Sequence, residues 1–436
     1  MAVTPSRAVA YAVVRRTFED GAYADRALLA EAADLDARDR ALATRLTYGV
    51  VQRRATLDYV VGALAKRAAD EIDPPLRAAL ELGLLQLVYL DGIPDHAAVA
   101  ESVELAKQDM PKGSGFVNAV LRRATREAQA LVDALEEDTP EAAALKHSHP
   151  DWIAELWWEQ LGPDHARALL AADNEPPETA LRVNTLVAAP AAVAAELGAD
   201  AAPPPPEAVV LDGPFDAHAH PLHAGGAFMP QSRASQAVAR LVDPRPGERV
   251  LDLCAAPGGK TTHLAALMGG EGEVVAVERN PQRAGALEVT AKRMRADAVR
   301  VVQADAREWV GDGFDRVLVD PPCSGLGTLR SRPDLRWRID AKDIPELAAQ
   351  QREILETGAA AIKPGGVLVY STCTISPDEN EHLIDRFLAD HPEFTADDAV
   401  SGAPNWEHPN VPFYVQSLPH RDGTDGFFMA RLRRAP

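Results

Sequence analysis

The second half of the chain contains the run Val250-Leu251-Asp252-Leu253-Cys254-Ala255-Ala256-Pro257-Gly258-Gly259-Lys260-Thr261-Thr262. A short apolar segment is followed by small residues and two glycines, and an amphipathic segment begins at His263. This order predicts a buried strand, a tight turn and a helix. Gly258 and Gly259 carry no Cβ, so a ligand can approach the backbone closely, and the N–H groups at a helix start suit a polar or anionic ligand. We therefore expect a cofactor at this turn.

Three classes of cofactor bind at such a turn, and the residues around it separate them. A phosphate-binding loop requires a glycine where this chain has Cys254, and the dinucleotide fingerprint G-x-G-x-x-G is absent. S-adenosylmethionine-dependent methyltransferases use the same turn, followed by an acidic residue at the end of the second strand. Glu278 ends the predicted strand Glu273–Glu278, 20 residues after Gly258, at the spacing of a carboxylate that accepts from ribose hydroxyls. The turn alone fits any α/β protein, but the turn and this carboxylate together favour S-adenosylmethionine.

Length and composition restrict the class of protein. A chain of 436 residues is expected to form two or three domains. Its cysteines, Cys254, Cys323 and Cys373, lack the spacing of a metal site and cannot form a disulfide framework, which fits a reducing compartment. We therefore expect no bound metal. We find neither a signal peptide nor an apolar stretch of membrane-spanning length, so we also expect a cytoplasmic protein with no membrane partner. The net charge of −20 argues only weakly against nucleic acid, because binding depends on local patches.

Residues 1–140 have apolar side chains at helical spacing and no strand pattern, which predicts an all-α bundle. The predicted helices are Ser6–Glu19, Arg40–Val51, Thr56–Leu64, Leu76–Leu90 and Ala97–Lys107. The early part of this region is rich in arginine, at Arg15, Arg16, Arg38, Arg40, Arg45, Arg53 and Arg54. Solvated helix faces are the ordinary explanation for such residues, and contact with phosphates is the alternative.

Residues 141–225 form a connecting region, in which Ala180–Thr185 is a predicted strand. From residue 226 to 436 strands alternate with helical segments, which is the pattern of an open parallel sheet covered on both faces. The predicted strands are Arg249–Leu253, Glu273–Glu278, Val299–Gln303, Arg316–Val319, Gly366–Tyr370 and Phe427–Leu432.

Polar residues follow the carboxyl ends of these strands, where open α/β sheets bind their ligands. They are Glu278, Asp305, Asp320 and the run Ser371–Thr374. A lone aspartate after a strand is usually a cap or turn residue, but four such ends in one sheet indicate a site. The loop Asp320–Gly325 is stiffened by two prolines and resembles the D-P-P-Y loop of amino-methylating enzymes. Cys323 replaces the aromatic residue of that loop, which points to thiol chemistry.

A second cysteine, Cys373, follows the strand that ends at Tyr370. A single cysteine at a strand end is most often an inert small side chain, but two in polar loops at one edge of a sheet favour chemistry. Carbon-5 of a pyrimidine is not nucleophilic enough to accept a methyl group unaided. Addition of a thiolate at carbon-6 activates it, which is covalent catalysis. The carbon-5 proton must then leave and the thiol must be expelled, and these steps require a second group nearby.

Residues 226–436 closely resemble the RNA cytosine-5 methyltransferases of the Sun/Fmu (RsmB) type. The motifs that carry this resemblance are Leu251–Thr261, Val319–Gly325, Tyr370–Thr374 and Asp425–Phe428. Residues 1–140 resemble the RNA-binding antitermination factor NusB through Arg7–Ala10, Leu80–Leu87, His96–Lys107 and Gly115–Arg122. The resemblances imply a multidomain protein, with an all-α NusB-like bundle and an α/β Rossmann-like S-adenosylmethionine-dependent methyltransferase domain. The region 141–225 would then assist RNA binding.

The resemblance also implies a role for each site residue. Cys373 would add to carbon-6 of cytosine, Cys323 would assist breakdown of the adduct, and Asp320 would hydrogen-bond the cytosine and the cofactor side of the site. S-adenosylmethionine would be held by Cys254, Ala255, Ala256, Pro257, Gly258, Gly259, Lys260, Glu278, Asp305 and Asp320, with Glu278 standing where many relatives have Asp. The implied reaction is methylation of carbon-5 of a cytosine in 16S rRNA, with another RNA such as tRNA as the alternative.

Other functions stay open at this point. DNA cytosine-5 enzymes take their nucleophile from the Pro-Pro-Cys loop, so Cys373 indicates RNA and not DNA as the partner. An RNA-binding protein that no longer catalyses would not need Cys373, Cys323 and Asp320. A small-molecule methyltransferase would not need the helical domain, nor the run Arg330, Arg332, Arg336 and Arg338, which we expect to contact phosphates. We expect the protein to be a monomer.

Overall fold

The chain divides into two units after Pro176, inside the predicted connecting region 141–225. Unit 1 comprises residues 1–176 and the inserted segment Leu329–Arg338, and unit 2 comprises Pro177–Thr328 and Ile339–Pro436. The structure, a computed structural model, describes residues 3–199, 204–213, 215–400, 404 and 406–436. Among these residues, none of the helices combines the length and apolar character that a membrane crossing requires.

Unit 1 is helical, as the apolar spacing of residues 1–140 predicted. Its helices are α1 Pro5–Glu19, α2 Ala24–Glu31, α3 Ala37–Ala65, α4 Pro74–Tyr89, α5 Asp95–Asp109, α6 Ser114–Asp133, α7 Pro140–His147, α8 Asp151–Leu161 and α9 Pro163–Ala172. Aliphatic side chains such as Val14, Leu46, Leu85 and Leu121 form a buried core between them. Burial of these apolar faces, more than helix propensity, is what stabilises the bundle.

The two helices predicted over Arg40–Val51 and Thr56–Leu64 are one helix, α3. The helix departs from helical backbone angles at Arg53, where φ is −106° and ψ is 15°. The apolar pattern is interrupted here by Gln52, Arg53, Arg54 and Ala55. These residue types are adequate helix formers, so the helix continues through them with an irregular turn. The guanidinium of Arg53 lies 4.2 Å from the ring centroid of Tyr89, which gives it an aromatic partner.

The inserted segment Leu329–Arg338 belongs to unit 1 because its arginines bind backbone oxygens there. The Nη atoms of Arg336 donate to the carbonyl oxygens of Gln52 at 3.1 Å, Ser148 at 3.0 Å and Asp173 at 3.0 Å, and to Oδ1 of Asn174 at 3.0 Å. Arg336 is 0% exposed. The expectation that this arginine contacts phosphates is therefore wrong, because a fully buried guanidinium cannot reach a ligand outside the fold.

The described residues of unit 2 form two sheets. The smaller one consists of β1 Thr179–Val183, β2 Ala208–Leu211 and β3 Phe228–Pro230, antiparallel in the order β2-β1-β3. The larger one consists of β4 Arg249–Leu253, β5 Glu273–Val277, β6 Val299–Val302, β7 Phe314–Val319, β8 Ile362–Thr372, β9 Phe394–Asp397, β10 Val415–Gln416 and β11 Phe428–Arg434. The helices of unit 2 are α10 Pro190–Leu197, α11 Pro221–Ala224, α12 Arg233–Val242, α13 Gly259–Leu267, α14 Pro281–Arg293, α15 Ile344–Ala361, α16 Glu381–Asp390 and α17 Pro419–Asp422.

The larger sheet has a parallel centre, as predicted for residues 226–436. Its strand order is β10-β11-β8-β7-β4-β5-β6, with β9 also paired to β11. Strands β4 to β8 pair in parallel, and β11 runs antiparallel to β8. Leu251 and Val317 belong to one buried core, whereas their chain neighbours Val250 and Leu318 belong to another. Because successive side chains of a strand point to opposite faces, both faces of this sheet are covered.

Candidate active site

The turn after β4 adopts the geometry that its glycines predicted. Gly258, at the start of α13, has a φ of 100°, and a Cβ added there would lie 2.5 Å from Cδ1 of Leu287. Only glycine therefore fits at this position. A Cβ at Gly259 would meet nothing closer than 3.7 Å. The first N–H groups of α13 have no intrahelical partner, so the turn can offer donors to a ligand.

The two acidic residues predicted to face the cofactor lie at the ends of neighbouring strands. Glu278 follows β5 and is 5% exposed, and its carboxylate accepts from the backbone N–H of Asn280 at 2.9 Å. Asp305 follows β6 and accepts from Nη2 of Arg307 at 2.8 Å and from its backbone N–H at 3.0 Å. These hydrogen bonds lower the pKa of Asp305 to about 2. Both carboxylates therefore lie at strand ends, and each has an arginine beside it, Arg307 for Asp305 and Arg283, at 3.4 Å, for Glu278.

The carboxylate of Asp320 joins the glycine turn to the strand end of β8. Nζ of Lys260 lies 2.7 Å from Oδ2 of Asp320, and Oγ of Ser371 donates to Oδ1 at 2.8 Å. Burial opposes the charge of Lys260, but the charges of Asp320 and Cys373 outweigh this and raise its pKa. Lys260 is thus an ammonium group at neutral pH, held beside the carboxylate of Asp320.

The structure brings Cys323 and Cys373 together. Their Sγ atoms are 3.3 Å apart, although the residues are 50 positions apart in the chain. Both residues are half-buried, so a ligand can reach them. The hydrogen bond to Cys373, together with burial, raises the pKa of Cys323 well above its ordinary value. At neutral pH the Cys323 side chain is therefore a thiol that faces the second sulfur.

Cys254 differs from the other two cysteines. Its backbone is left-handed, with a φ of 67°, in the turn that follows β4. Burial and the charges of Asp320, Asp252 and Glu278 raise the pKa of its thiol, which disfavours the thiolate.

Across the described ranges, no group of three His, Cys, Asp or Glu side chains is arranged to hold a metal ion.

Backbone contacts bring three motifs of unit 2 together. The N–H of Gly327 donates to the carbonyl oxygen of Cys373 at 3.0 Å, and the N–H of Gly426 donates to the carbonyl oxygen of Gly327 at 2.6 Å. A Cβ at Gly327 would lie 1.9 Å from the oxygen of Gly426, so any other residue would push the two segments apart. The Asp425–Phe428 motif therefore supports the Cys373 loop through Gly327.

Sequence reasoning missed several buried polar residues next to the site. Asp252 lies inside β4 and accepts from Oγ1 of Thr261 at 2.6 Å. Ser324, Gln351 and Glu379 form a hydrogen-bonded cluster beside the cysteine loops. Asp252 and Ser324 stand in quoted motifs but do not directly follow a strand end, and Gln351 and Glu379 stand in no quoted motif, so selection by strand ends did not identify these residues.

Comparison with known proteins places each part of the chain in a family. The NusB family profile matches residues 4–126, a ferredoxin-like domain of RsmF/B-like methyltransferases matches 149–218, and the family described as 16S rRNA methyltransferase RsmB/F matches 239–433. The ferredoxin-like domain was not predicted. It covers β1 and β2 of the smaller sheet.

Relatives and a solved structure extend the likeness over the full chain. A Synechocystis protein named "Probable ribosomal RNA small subunit methyltransferase B" is 37% identical, with 99% of each chain covered. "Ribosomal RNA small subunit methyltransferase B" of Klebsiella pneumoniae subsp. pneumoniae is 36% identical, over 91% of this chain and 90% of its own. The crystal structure of PH0851 matches with a TM-score of 0.83 and 28% identity, with 100% of both chains covered. The chain therefore belongs to the ribosomal RNA small subunit methyltransferase B family, with a NusB domain before its methyltransferase domain.

Proposed function

We propose that the protein methylates carbon-5 of a cytosine in small-subunit (16S) rRNA, through a covalent bond between Cys373 and carbon-6 of the base. The observation that carries this proposal is the 3.3 Å separation of the Cys323 and Cys373 sulfurs beside the Asp320 carboxylate. A reaction that forms a thioether and then breaks it needs one sulfur as nucleophile and a second group within reach of the adduct. The pair supplies both.

S-adenosylmethionine fits the turn after β4 and supplies an electrophilic methyl group when bound. The fit rests on the left-handed Gly258, on the donors at the start of α13 and on the partial exposure of Cys254, Gly259 and Lys260. Glu278 provides a carboxylate for the ribose hydroxyls, and Asp305 and Asp320 complete the acidic side of the site. We therefore assign S-adenosylmethionine, as the methyl donor, to the turn after β4.

The protein's own residues prepare the base and the nucleophile. The thiolate is the nucleophilic form of a cysteine, and the positive charge of Lys260 interacts with Cys373. Asp320, fixed by Lys260 and Ser371, hydrogen-bonds the cytosine. The Cys373 sulfur bonds to carbon-6, and carbon-5 accepts the methyl group. Water then takes the carbon-5 proton, and the electron pair of that C–H bond re-forms the 5,6 double bond as Cys373 leaves as a thiolate. We assign Cys323 to this last stage.

The relatives and the NusB-like unit support rRNA as the substrate. Two full-length relatives carry the name of a small-subunit rRNA methyltransferase, and unit 1 contains a match to the NusB family. On this basis unit 1 binds RNA and unit 2 modifies it. A monomer is sufficient, since unit 2 contains every residue to which we give a chemical role.

Single replacements of the two cysteines test the covalent route. Cys323→Ala should allow addition and methyl transfer but stall elimination, so the enzyme stays attached to RNA and runs as a slow band on a denaturing gel. Cys373→Ala should give no such band and no product, and the double variant should behave like Cys373→Ala because the steps are sequential. Isothermal titration should show nearly unchanged S-adenosylmethionine affinity for Cys373→Ala. A slow band from Cys373→Ala, or its absence from Cys323→Ala, would contradict the assignment.

A further inference from the structure

A buried carboxylate outside the proposed reaction connects the loops that carry the two cysteines. Glu379 ends the short 3-10 helix Pro377–Glu379 and is 0% exposed. Its Oε1 accepts from the backbone N–H of Ser324 at 2.9 Å and from Nε2 of Gln351 at 2.9 Å. Its Oε2 accepts from Oγ of Ser324 at 2.5 Å and lies 3.5 Å from Oγ1 of Thr374. One side chain thus binds both loops.

The contacts of Glu379 fall one residue away from each sulfur. Ser324 directly follows Cys323, and Thr374 directly follows Cys373. The hydroxyl oxygens of Ser324 and Thr374 are 2.6 Å apart. The carboxylate therefore fixes the position of one loop against the other at the residues closest to the reacting atoms.

Rigid elements hold Glu379 in turn. Gln351, on α15, also donates from Nε2 to the carbonyl oxygen of Pro322 at 3.0 Å. The hydroxyl of Tyr370, in β8, lies 2.7 Å from the carbonyl oxygen of Glu379 and 3.1 Å from Oε1 of Gln351. The side chains of Gln351, Tyr370 and Glu379 are all buried in unit 2. The cluster is therefore a stiff link and not a mobile surface contact.

A buried carboxylate is an energetically unfavourable group for a purely structural role. Burial of a carboxylate is unfavourable unless its oxygens are hydrogen-bonded, and apolar side chains of similar volume fill such a space at lower free energy. Here the Ser324 hydroxyl, an amide and a backbone N–H donate to one carboxylate, and the Thr374 hydroxyl lies 2.6 Å from that of Ser324. This arrangement selects a single geometry for the two loops.

We propose that Glu379 is a positioning residue that fixes the separation of Cys323 and Cys373 and so controls the release of Cys373 from the methylated base. The inference rests on the proposed roles of these two cysteines. Addition to the base depends on Lys260 and Asp320, neither of which contacts Glu379 in the hydrogen bonds described above. Release depends on Cys323 lying within reach of the adduct. Loss of the carboxylate should therefore slow release more than addition.

Two variants weaken the link, and a third controls for the loss of a buried carboxylate. Glu379→Gln keeps the size but places an amide donor where the carboxylate accepts, and Ser324→Ala removes one hydroxyl from the cluster. The control is Glu381→Gln, two residues further on, where the carboxylate is also buried but faces His408 at 3.4 Å. Circular dichroism checks the folding of each variant. If Glu379→Gln does not fold, Ser324→Ala carries the same comparison.

The first experiment measures the separation of the thiols without RNA or cofactor. Diamide removes one hydrogen from each of two adjacent thiols and leaves a disulfide, which non-reducing peptide mapping assigns to Cys323–Cys373. We expect Glu379→Gln and Ser324→Ala to form this disulfide roughly tenfold more slowly than the unmodified protein, the effect of about one lost buried hydrogen bond. Glu381→Gln should oxidise at the unmodified rate. Equal rates in all four proteins would overturn the inference.

The second experiment measures release with rRNA and S-adenosylmethionine. Glu379→Gln and Ser324→Ala should accumulate the covalent protein–RNA band seen with Cys323→Ala, and Glu381→Gln should not. Slow oxidation without this band would overturn the role in release. Failure of Cys323→Ala itself to form the band would instead contradict the proposed function, and the oxidation rates would still decide whether Glu379 sets the thiol separation.

Discussion

Asp252 is a carboxyl group buried in β4, one residue before the strand ends. It is 1% exposed, and its Oδ2 accepts from Oγ1 of Thr261. Burial raises its pKa from 3.8 to about 7, although the hydrogen bond from Thr261 opposes the shift. The folded state therefore holds this proton more tightly than the unfolded state. This contribution to stability is complete below pH 3.8 and is lost as the pH rises towards about 7.

Replacement of Asp252 by asparagine should change how stability depends on pH. Asn cannot ionise, so as the pH rises from 5 to 8 the free energy of unfolding of Asp252→Asn should increase by about 3 kcal/mol relative to that of the unmodified protein, at about 1.36 kcal/mol per pH unit up to the folded-state pKa of about 7. Urea unfolding at several pH values measures this difference. The control is Asp315→Asn, because the pKa of Asp315 is lowered, with burial opposing and the backbone N–H of Arg249 and Lys363 favouring the charge. Replacement of Asp315 should leave the dependence of the free energy of unfolding on pH unchanged in this range. If the curves of unfolding free energy against pH were parallel for all three proteins, the raised pKa of Asp252 would be refuted.

Single residues were predictable where a strand end located them. Asp320, Cys323 and Cys373 come together because parallel strands end at the same edge of a sheet, and the sequence shows where each strand ends. Glu379 was not predictable in this way. Its contacts with Ser324 and Gln351 depend on the burial of a 3-10 helix against α15, and no local pattern in the sequence encodes that packing.

Among the elements, the inserted segment Leu329–Arg338 allows the contribution of a buried arginine to the free energy of unfolding to be measured. Burial lowers the pKa of Arg336 to about 10, so the group is still a cation at neutral pH. Arg336→Met should lower the free energy of unfolding by about 3 kcal/mol, because it leaves several buried oxygens without a donor. Arg332→Met, at an exposed position of the same segment, should change it by less than about 0.5 kcal/mol. Guanidinium unfolding followed by circular dichroism compares them, and equal losses would contradict the anchoring role.

Elements with an uninterrupted apolar pattern were predicted most closely, whereas α3, whose pattern is interrupted, was predicted as two helices. Strand β4 has the predicted bounds, and α1 begins one residue before its prediction. β9 and β10 have 4 and 2 residues, too few for an alternating pattern to show. Their place is set by pairing with β11, which is a tertiary contact.

For the whole molecule, the net charge is negative, but unit 1 carries exposed positive charges. The net charge is −20, but Arg38, Arg45, Arg122 and Arg126 are exposed in unit 1. If these arginines contact RNA phosphates, the double variant Arg38→Gln/Arg45→Gln should reduce the slope of log affinity against log salt by about one to two. Arg16→Gln should not, because Arg16 is paired with Glu31 at 2.7 Å. Filter binding across a salt series is the measurement, and an unchanged slope would show that these arginines only solvate helix faces.

The identity of the methylated nucleoside tests the central claim most directly. The protein is incubated with radiolabelled S-adenosylmethionine and unmodified 16S rRNA, and the digested RNA is separated into nucleosides. We predict that the label appears in 5-methylcytidine, that Cys373→Ala abolishes it, and that tRNA accepts none. Label in any other nucleoside, in tRNA instead of rRNA, or in 5-methylcytidine made by Cys373→Ala would contradict the account.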